Sequence, residues 1–139
     1  MDQLIYSWDE FFKDAKKLAE IIQPNKPKSL IVVTRGGMFL GGMLSEYLDI
    51  PIVETVSVKS YADREKQLLN VLKPAVAGLP DPLIIDDIAD TGETLQHLSK
   101  IYEAKTAVLF YKPSAIIKPD FHLHEINKWV KFPWEVDAL

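Results

Sequence analysis

A chain of 139 residues, of which 47% are hydrophobic, has the size of one domain, residues 1–139, and can bury an ordinary core. It contains no cysteine, which excludes disulfides and thiolate metal sites, so we expect a cytoplasmic protein. No apolar run approaches the roughly 20 residues that span a bilayer, and the net charge of -4 disfavours a protein that coats nucleic acid, so neither a membrane span nor a nucleic-acid partner is expected.

A capping box marks the start of the first helix. Ser7 is followed three residues later by Glu10, an arrangement in which the two side chains satisfy free N–H groups at a helix start. Apolar residues then recur at helical spacing and predict one buried face: Phe11, Phe12, Ala15, Leu18, Ala19 and Ile22. Pro24 is expected to end the helix.

A strand, helix, strand unit follows. Residues 30–33 form a continuous apolar run too short for a helix, which is typical of a strand buried on both faces. A turn at residues 34–37 leads into a predicted helix that carries Met38, Met43, Leu44 and Leu48. The second strand is expected over residues 52–58.

The rest of the chain predicts two more strands and one helix. Residues 59–81 are crowded with charges, proline and glycine, and predict an irregular excursion. Residues 83–85 and 106–110 predict buried strands, with a helix near residues 93–102 between them. Residues 111–139 are rich in aromatic residues and proline, and predict an irregular cap over one end of the sheet.

Alternating buried strands and helices predict a doubly wound, mainly parallel α/β domain with its core over about residues 8–112. In such domains ligands bind beyond the carboxyl ends of the strands. The loops that follow Val33, Val58, Ile85 and Phe110 are therefore expected to be neighbours and to form one site.

The segment 83–94 carries the most distinctive chemistry. Its apolar strand ends in two adjacent carboxylates, Asp86 and Asp87, and a short loop through Ala89 and Asp90 leads into a helix. The start of that helix offers hydroxyl groups, free backbone N–H groups and close backbone approach, which predict a phosphate cradle: Thr91, Gly92, Glu93 and Thr94. Carboxylates beside such a cradle suit the hydroxyls of a ribose or a bridging cation, so the segment predicts a ribose 5-phosphate site.

The segment resembles the phosphoribosyl pyrophosphate (PRPP) binding motif of type I phosphoribosyltransferases, and about residues 8–135 are similar to the xanthine-guanine members of that family. A Thr/Asp-rich helix cap would explain Asp90 and Thr91 but not the acidic pair before them. Receiver domains carry a similar acidic pair, usually after their first strand. The resemblance implies the type I phosphoribosyltransferase fold with a small, aromatic-rich C-terminal hood over residues 111–139, which binds the base.

In that family a Ser/Thr-Arg-Gly-Gly loop after the first core strand holds pyrophosphate, and this chain has Thr34, Arg35, Gly36 and Gly37 there. Arginine pairs bidentately with phosphate, and glycines expose backbone N–H groups. The resemblance also implies a strained, sometimes cis, peptide in this loop. An ordinary turn into a helix is the alternative.

The family's flexible loop, which closes over PRPP during the reaction, corresponds to about residues 59–73, including Ser60 and Tyr61. The family often has a basic residue where this chain has glutamine, whereas Arg64 and Lys66 lie nearby. Which side chain reaches the pyrophosphate is left open, and a solvated charged loop explains these two residues equally well.

The resemblance implies a base pocket in the hood. Lys112 matches the family's lysine after the fourth core strand, and a side chain that only donates hydrogen bonds favours O6 of guanine or hypoxanthine over N6 of adenine. Trp129 matches the aromatic residue that stacks on the purine, with a core tryptophan as the alternative, and Val130 would offer backbone groups to the base. Glu135 stands where the family has aspartate, which leaves its role open.

The implied reaction transfers the 5-phosphoribosyl group of PRPP to N9 of a 6-oxopurine, in purine salvage. Arg35 and Mg²⁺ would neutralise the departing pyrophosphate, with Asp87 near the metal, and Asp90 would act as general base near N7. The resemblance implies a homodimer or homotetramer. The alternative is a regulator of the same fold that senses PRPP or nucleotides, which the net charge and the presence of both Asp90 and Lys112 disfavour.

Overall fold

A computed structural model of the chain describes residues 2–60 and 69–139. In chain order its helices and strands are β1 (Gln3–Ile5), α1 (Trp8–Ile22), β2 (Ser29–Thr34), α2 (Met38–Leu48), β3 (Val53–Ser60), β4 (Leu69–Lys73), β5 (Pro82–Ile85), β6 (Ile88–Ala89), α3 (Glu93–Tyr102), β7 (Lys105–Ala107), β8 (Phe110–Tyr111), β9 (His124–Glu125) and β10 (Trp129–Lys131). The largest sheet has five strands in the order β4-β3-β2-β5-β7. All neighbours in it are parallel except β4, which runs antiparallel to β3.

Helices cover both faces of this sheet. Because side chains alternate along a strand, Leu30 and Val32 of β2 pack in one apolar cluster with α1 and α2, whereas Ile31 and Val33 pack in a second cluster with α3. The predicted doubly wound, mainly parallel fold is thereby confirmed. Within the residues that the structure describes, no helix is long and apolar enough to cross a membrane.

The first helix begins where the capping box predicts. The Glu10 N–H donates to Ser7 Oγ at 3.1 Å, and the Ser7 hydroxyl donates to Glu10 Oε1 at 3.2 Å. The predicted apolar face is buried except for Phe12, which is 47% exposed because it lies at the edge of the face and stacks on Trp8. Pro24 lies in a short 3-10 turn, Gln23–Asn25, directly after the helix.

The predicted strand over residues 106–110 is wrong in one respect, because it is two strands in different sheets. The chain leaves the large sheet after Ala107, where the Val108 N–H donates to Phe121 O at 3.0 Å and the Leu109 N–H to Asp87 O at 3.1 Å. The next strand, β8, then pairs with β6 and β9 in a small parallel sheet.

The expected irregular regions contain further regular structure. Strand β4 lies inside the predicted excursion, where Val71 packs on the core and Leu72 is 59% exposed. In the hood, β10 pairs in parallel with β1 near the N-terminus, a contact between three-residue strands that no local pattern signals. Ser60 ends β3, whereas the other residues predicted for the flexible loop, Tyr61, Arg64 and Lys66, lie outside the described residues.

Candidate active site

Two loops meet at the carboxyl end of the large sheet. Strands β2 and β5 are parallel neighbours, so the loop after Thr34 lies beside the acidic pair after Ile85. The approach is close: a methyl group on Gly36 would lie 2.6 Å from Asp87 Oδ2. The pyrophosphate loop and the acidic pair that the sequence predicts separately are therefore one surface.

Residue 37 must be glycine for the same reason of space. A Cβ atom on Gly37 would lie 2.5 Å from the carbonyl oxygen of Ile85 and 2.9 Å from that of Val33, both of them backbone atoms. The Thr34–Arg35 peptide bond is cis, as the family resemblance implied. Arg35 is exposed and lines a cavity of about 830 Å³. Its guanidinium is therefore available to a ligand in that cavity.

The acidic pair is held by backbone groups. The Ile88 N–H donates to Asp87 Oδ1 at 2.7 Å, and the Asp87 N–H donates to Asp86 Oδ1 at 2.8 Å. Burial raises the pKa of Asp86 well above its ordinary value, and the Asp87 charge raises it further. Burial also raises the pKa of Asp87, which is only 9% exposed. A cation or hydroxyl donor would stabilise the charged pair.

The predicted phosphate cradle begins α3. Gly92 caps the helix with φ of 82°, and a Cβ there would lie 2.9 Å from Ile117 Cγ2, so glycine is required. Thr91 Oγ1 accepts from the Glu93 N–H at 3.3 Å, so this threonine does act as a local cap. Thr94 follows inside the first turn, where backbone N–H groups have no helical acceptor. We call residues 34–37, 86–87 and 91–94 the phosphate half.

Asp90 and Lys112 form an ion pair. They directly follow β6 and β8, which are parallel neighbours, so their side chains meet at one edge, and Lys112 Nζ lies 2.9 Å from Asp90 Oδ1. The lysine backbone N–H also donates to the carbonyl oxygen of Ala89 at 3.0 Å. A role as a helix cap alone would not explain the ion pair of Asp90 with Lys112. Asp90 lies beside the lysine that the sequence predicts for base binding.

Strand β10 places Trp129 and Val130 beside the Asp90–Lys112 ion pair. Trp129 is 57% exposed, which argues against the core tryptophan alternative, whereas Val130 is 4% exposed and anchors β10 in the core. Both residues line a small cavity of about 90 Å³ together with Asp90 and Lys112. We call these four residues the base half.

Glu135 connects the two halves. Both cavities are lined by Asp87 and Glu135, so they adjoin at these carboxylates. The pKa of Glu135 is raised by burial and by the Asp87 charge. The sequence leaves the role of Glu135 open because the family has aspartate there, and its closeness to Asp87 is seen only in the structure.

The carboxylates suit magnesium in part. Within residues 2–60 and 69–139, no cluster of three or more His, Cys, Asp or Glu side chains could hold a metal ion by itself. Mg²⁺ is commonly bound by one or two carboxylates together with substrate phosphates and water. Asp87 and Glu135 fit that pattern, since each faces the cavity that Arg35 lines.

Comparison with known proteins agrees with this geometry. The family model described as phosphoribosyl transferase domain matches residues 3–139. The chain is 34% identical to the xanthine-guanine phosphoribosyltransferase of Cereibacter sphaeroides, over 94% of this chain and 85% of that protein.

Two solved structures show the same fold over nearly the whole chain. The purine phosphoribosyltransferase of Pyrococcus horikoshii Ot3 has a TM-score of 0.90 at 28% identity, covering 100% of this chain and 97% of the other. The xanthine-guanine-hypoxanthine phosphoribosyltransferase of Helicobacter pylori has a TM-score of 0.87 at 29% identity, covering 97% and 95%. The chain therefore belongs to the phosphoribosyl transferase domain family.

Proposed function

We propose that this phosphoribosyltransferase transfers the 5-phosphoribosyl group of PRPP to N9 of a 6-oxopurine, namely guanine, xanthine or hypoxanthine, and acts in purine salvage. The observation that carries the proposal is the base half: a carboxylate, a lysine and an exposed indole at one cavity. That cavity adjoins the larger one at Asp87 and Glu135. A purine and a ribose pyrophosphate would each find suitable groups there.

The phosphate half supplies groups for the leaving pyrophosphate and the 5-phosphate. Arg35 and the backbone N–H groups of its loop would bind the pyrophosphate, and the start of α3 would bind the 5-phosphate. When bound, Mg²⁺ supplies positive charge to the departing pyrophosphate. Asp87 and Glu135 would hold it together with substrate oxygens, and Asp86 would accept from ribose hydroxyls.

The base half supplies selectivity and a proton acceptor. Lys112 can only donate hydrogen bonds, which favours the acceptor O6 of a 6-oxopurine over the amino group of adenine. Trp129 offers a ring face for stacking, worth on the order of 1–3 kcal/mol per base. Asp90, whose Oδ1 lies 2.9 Å from Lys112 Nζ, would accept the proton displaced as N9 attacks.

The relatives support this choice of substrate, because the Cereibacter sphaeroides and Helicobacter pylori proteins carry xanthine and guanine in their names. Assembly as a homodimer or homotetramer in the cytoplasm is part of the same proposal. Large exposed aromatic side chains, including Phe12, Phe39 and Trp8, offer apolar area for a subunit contact. Light scattering after gel filtration measures the assembly.

A spectrophotometric assay tests the reaction. Purified protein with PRPP and Mg²⁺ is offered guanine, xanthine, hypoxanthine and adenine separately, with a control that lacks magnesium. We expect magnesium-dependent nucleotide formation from at least one 6-oxopurine and none from adenine. Absence of turnover with every base, while PRPP still binds, would contradict the enzyme assignment and favour the regulator. Turnover of adenine would contradict the role of Lys112.

A further inference from the structure

Trp134 lies between two parallel aromatic rings. Its ring centroid is 5.3 Å from that of Phe39 with an interplanar angle of 13°, and 4.9 Å from that of Phe132 with an angle of 9°. Both neighbours are stacked rather than edge-on, so the three rings form one column. Stacking sets the distances between neighbouring rings, so removal of either outer ring changes the distance between the two segments that carry these rings.

The two outer rings, Phe39 and Phe132, lie on segments next to the phosphate half and the base half, respectively. Phe39 is the second residue of α2, which begins directly after the pyrophosphate loop, and it lines the larger cavity together with Arg35. Phe132 directly follows β10, the strand of Trp129, and lines the smaller cavity. Trp134 thus stacks on one ring from the segment next to each half.

The exposure of these rings indicates a role beyond core packing. Phe132 is 2% exposed and belongs to the core cluster, but Phe39, in the first turn of α2, is 46% exposed. A ring that is almost half exposed gains less from burial than a core ring does. Its contact with Trp134 instead fixes where the start of α2 lies relative to the hood.

The proposed reaction depends on that placement. The ribose carbon that is attacked lies between the leaving pyrophosphate and the incoming purine, so both must be aligned at once, and small misplacements reduce the rate strongly. We propose that Trp134 is a positioning residue that, stacked between Phe39 and Phe132, couples the pyrophosphate loop to the base strand. This inference rests on the proposed function. It adds that binding in one half tightens binding in the other through the column.

The test measures coupling rather than activity alone. Binding of radiolabelled guanine is measured by equilibrium dialysis with and without magnesium pyrophosphate, in the wild type and in Phe39→Leu. In the wild type we expect magnesium pyrophosphate to tighten guanine binding about tenfold or more. In Phe39→Leu we expect that factor to fall to about twofold or less and the kcat to fall about tenfold, with guanine affinity in the absence of pyrophosphate nearly unchanged.

Two further variants separate positioning from folding. Tyr47→Leu removes an aromatic ring of similar exposure, 44%, that lies in the same helix as Phe39 and lines neither cavity, so coupling should be retained. Phe39→Tyr keeps the stacking ring and should restore both coupling and kcat. The Tm of all three variants should lie within a few degrees of the wild-type Tm, because the altered side chains are about half exposed.

The outcomes distinguish this inference from the proposed function. A wild type that binds guanine with coupling, together with Phe39→Leu that retains the full coupling, would overturn the role of the column. Equal loss of coupling in Tyr47→Leu would also overturn it, because the effect would then be general. A wild type that binds none of guanine, xanthine and hypoxanthine under either condition would count against the proposed function itself.

Discussion

The two halves of the candidate site are built from different kinds of structure. Residues 34–37 and 86–87 of the phosphate half lie at the ends of β2 and β5, central strands of the five-stranded sheet that each have two neighbours, and Val33 and Ile85 there are at most 3% exposed. The base half follows strands of two or three residues in small sheets, and β10 pairs with β1 alone among the described strands. Local sequence therefore suffices to place the first half, whereas the second depends on contacts with distant segments.

The distant contacts converge on Asp14 of α1. The Tyr6 hydroxyl donates to Asp14 Oδ2 at 2.6 Å, and His124 Nε2 lies 2.8 Å from the same oxygen. The N–H of Tyr6, directly after β1, donates to the carbonyl oxygen of Lys131, the last residue of β10, at 2.9 Å. One carboxylate thus joins the N-terminal segment, the first helix and β9 of the hood. A change there should affect the base half and spare the phosphate half.

The largest effect is expected in the base half, at its proposed proton acceptor. In Asp90→Asn the proton acceptor is lost but the shape is kept, so the kcat should fall by about a hundredfold or more. PRPP affinity should stay within a few-fold, since the phosphate half keeps its groups. Steady-state kinetics and calorimetric PRPP titration measure the two effects.

Glu103→Gln is the matched control for Asp90→Asn, because Glu103 is an exposed carboxylate at the far end of α3. Its kcat should equal that of the wild type. An unchanged kcat in Asp90→Asn would remove Asp90 from the mechanism, whereas a comparable loss of PRPP affinity would place it in the phosphate half.

The next effect is confined to the phosphate half. In Gly36→Ala the new methyl group would lie 2.6 Å from Asp87 Oδ2, and that carboxylate cannot retreat without weakening its bond to the Ile88 N–H. The KM for PRPP should rise about tenfold to a hundredfold, with the KM for guanine changed little. Initial rates over a grid of both substrates measure the separation.

Gly42→Ala is the control for Gly36→Ala. Gly42 lies inside α2, and a Cβ atom there would meet nothing within 4 Å. Alanine is favoured over glycine in a helix by about 1 kcal/mol, so this variant should be fully active and slightly more stable. If it lost PRPP affinity as Gly36→Ala does, the cause would be α2 and not the carboxylate.

The difference between the halves also explains which parts of the fold and the site can be predicted from the sequence. The sequence predicts the bounds of α3 and the apolar residues that α2 carries, because the Gly-Gly and Asp-Thr-Gly turns and the apolar spacing are local signals. The pairing of β1 with β10 joins Gln3 to Trp129, and strands so short and so distant leave no periodic pattern. The family resemblance identifies Lys112 and Trp129 as base-pocket residues. The Asp90–Lys112 contact is not predicted, because it depends on the parallel pairing of β6 and β8.

A smaller effect is expected in the base half. Tyr6→Phe removes one hydroxyl and its bond to Asp14, a loss of about 1 kcal/mol. Because the strand beside β10 then loosens, the KM for guanine should rise about threefold while the KM for PRPP stays constant. Tyr47→Phe, on the exposed side of α2, removes a hydroxyl that no site residue contacts and should change neither constant. Equal changes in both constants for Tyr6→Phe would show a general loss of structure.

The smallest effect concerns stability. The pKa of Asp86 is raised in the folded protein, so the folded state binds its proton more tightly than the unfolded state, and this contribution is lost as pH rises above about 4. At pH 7 the raised pKa of Asp86 therefore corresponds to a loss of stability in the free protein. Asp86→Asn keeps the acceptor for the Asp87 N–H without the charge, so its Tm should be about 2–4 °C higher at pH 7, with the difference vanishing near pH 4. Calorimetry without ligand measures the shift. A lower Tm at pH 7 would mean that the Asp86 charge stabilises the free fold, and the phosphate half would then be built for stability as well as for its ligand.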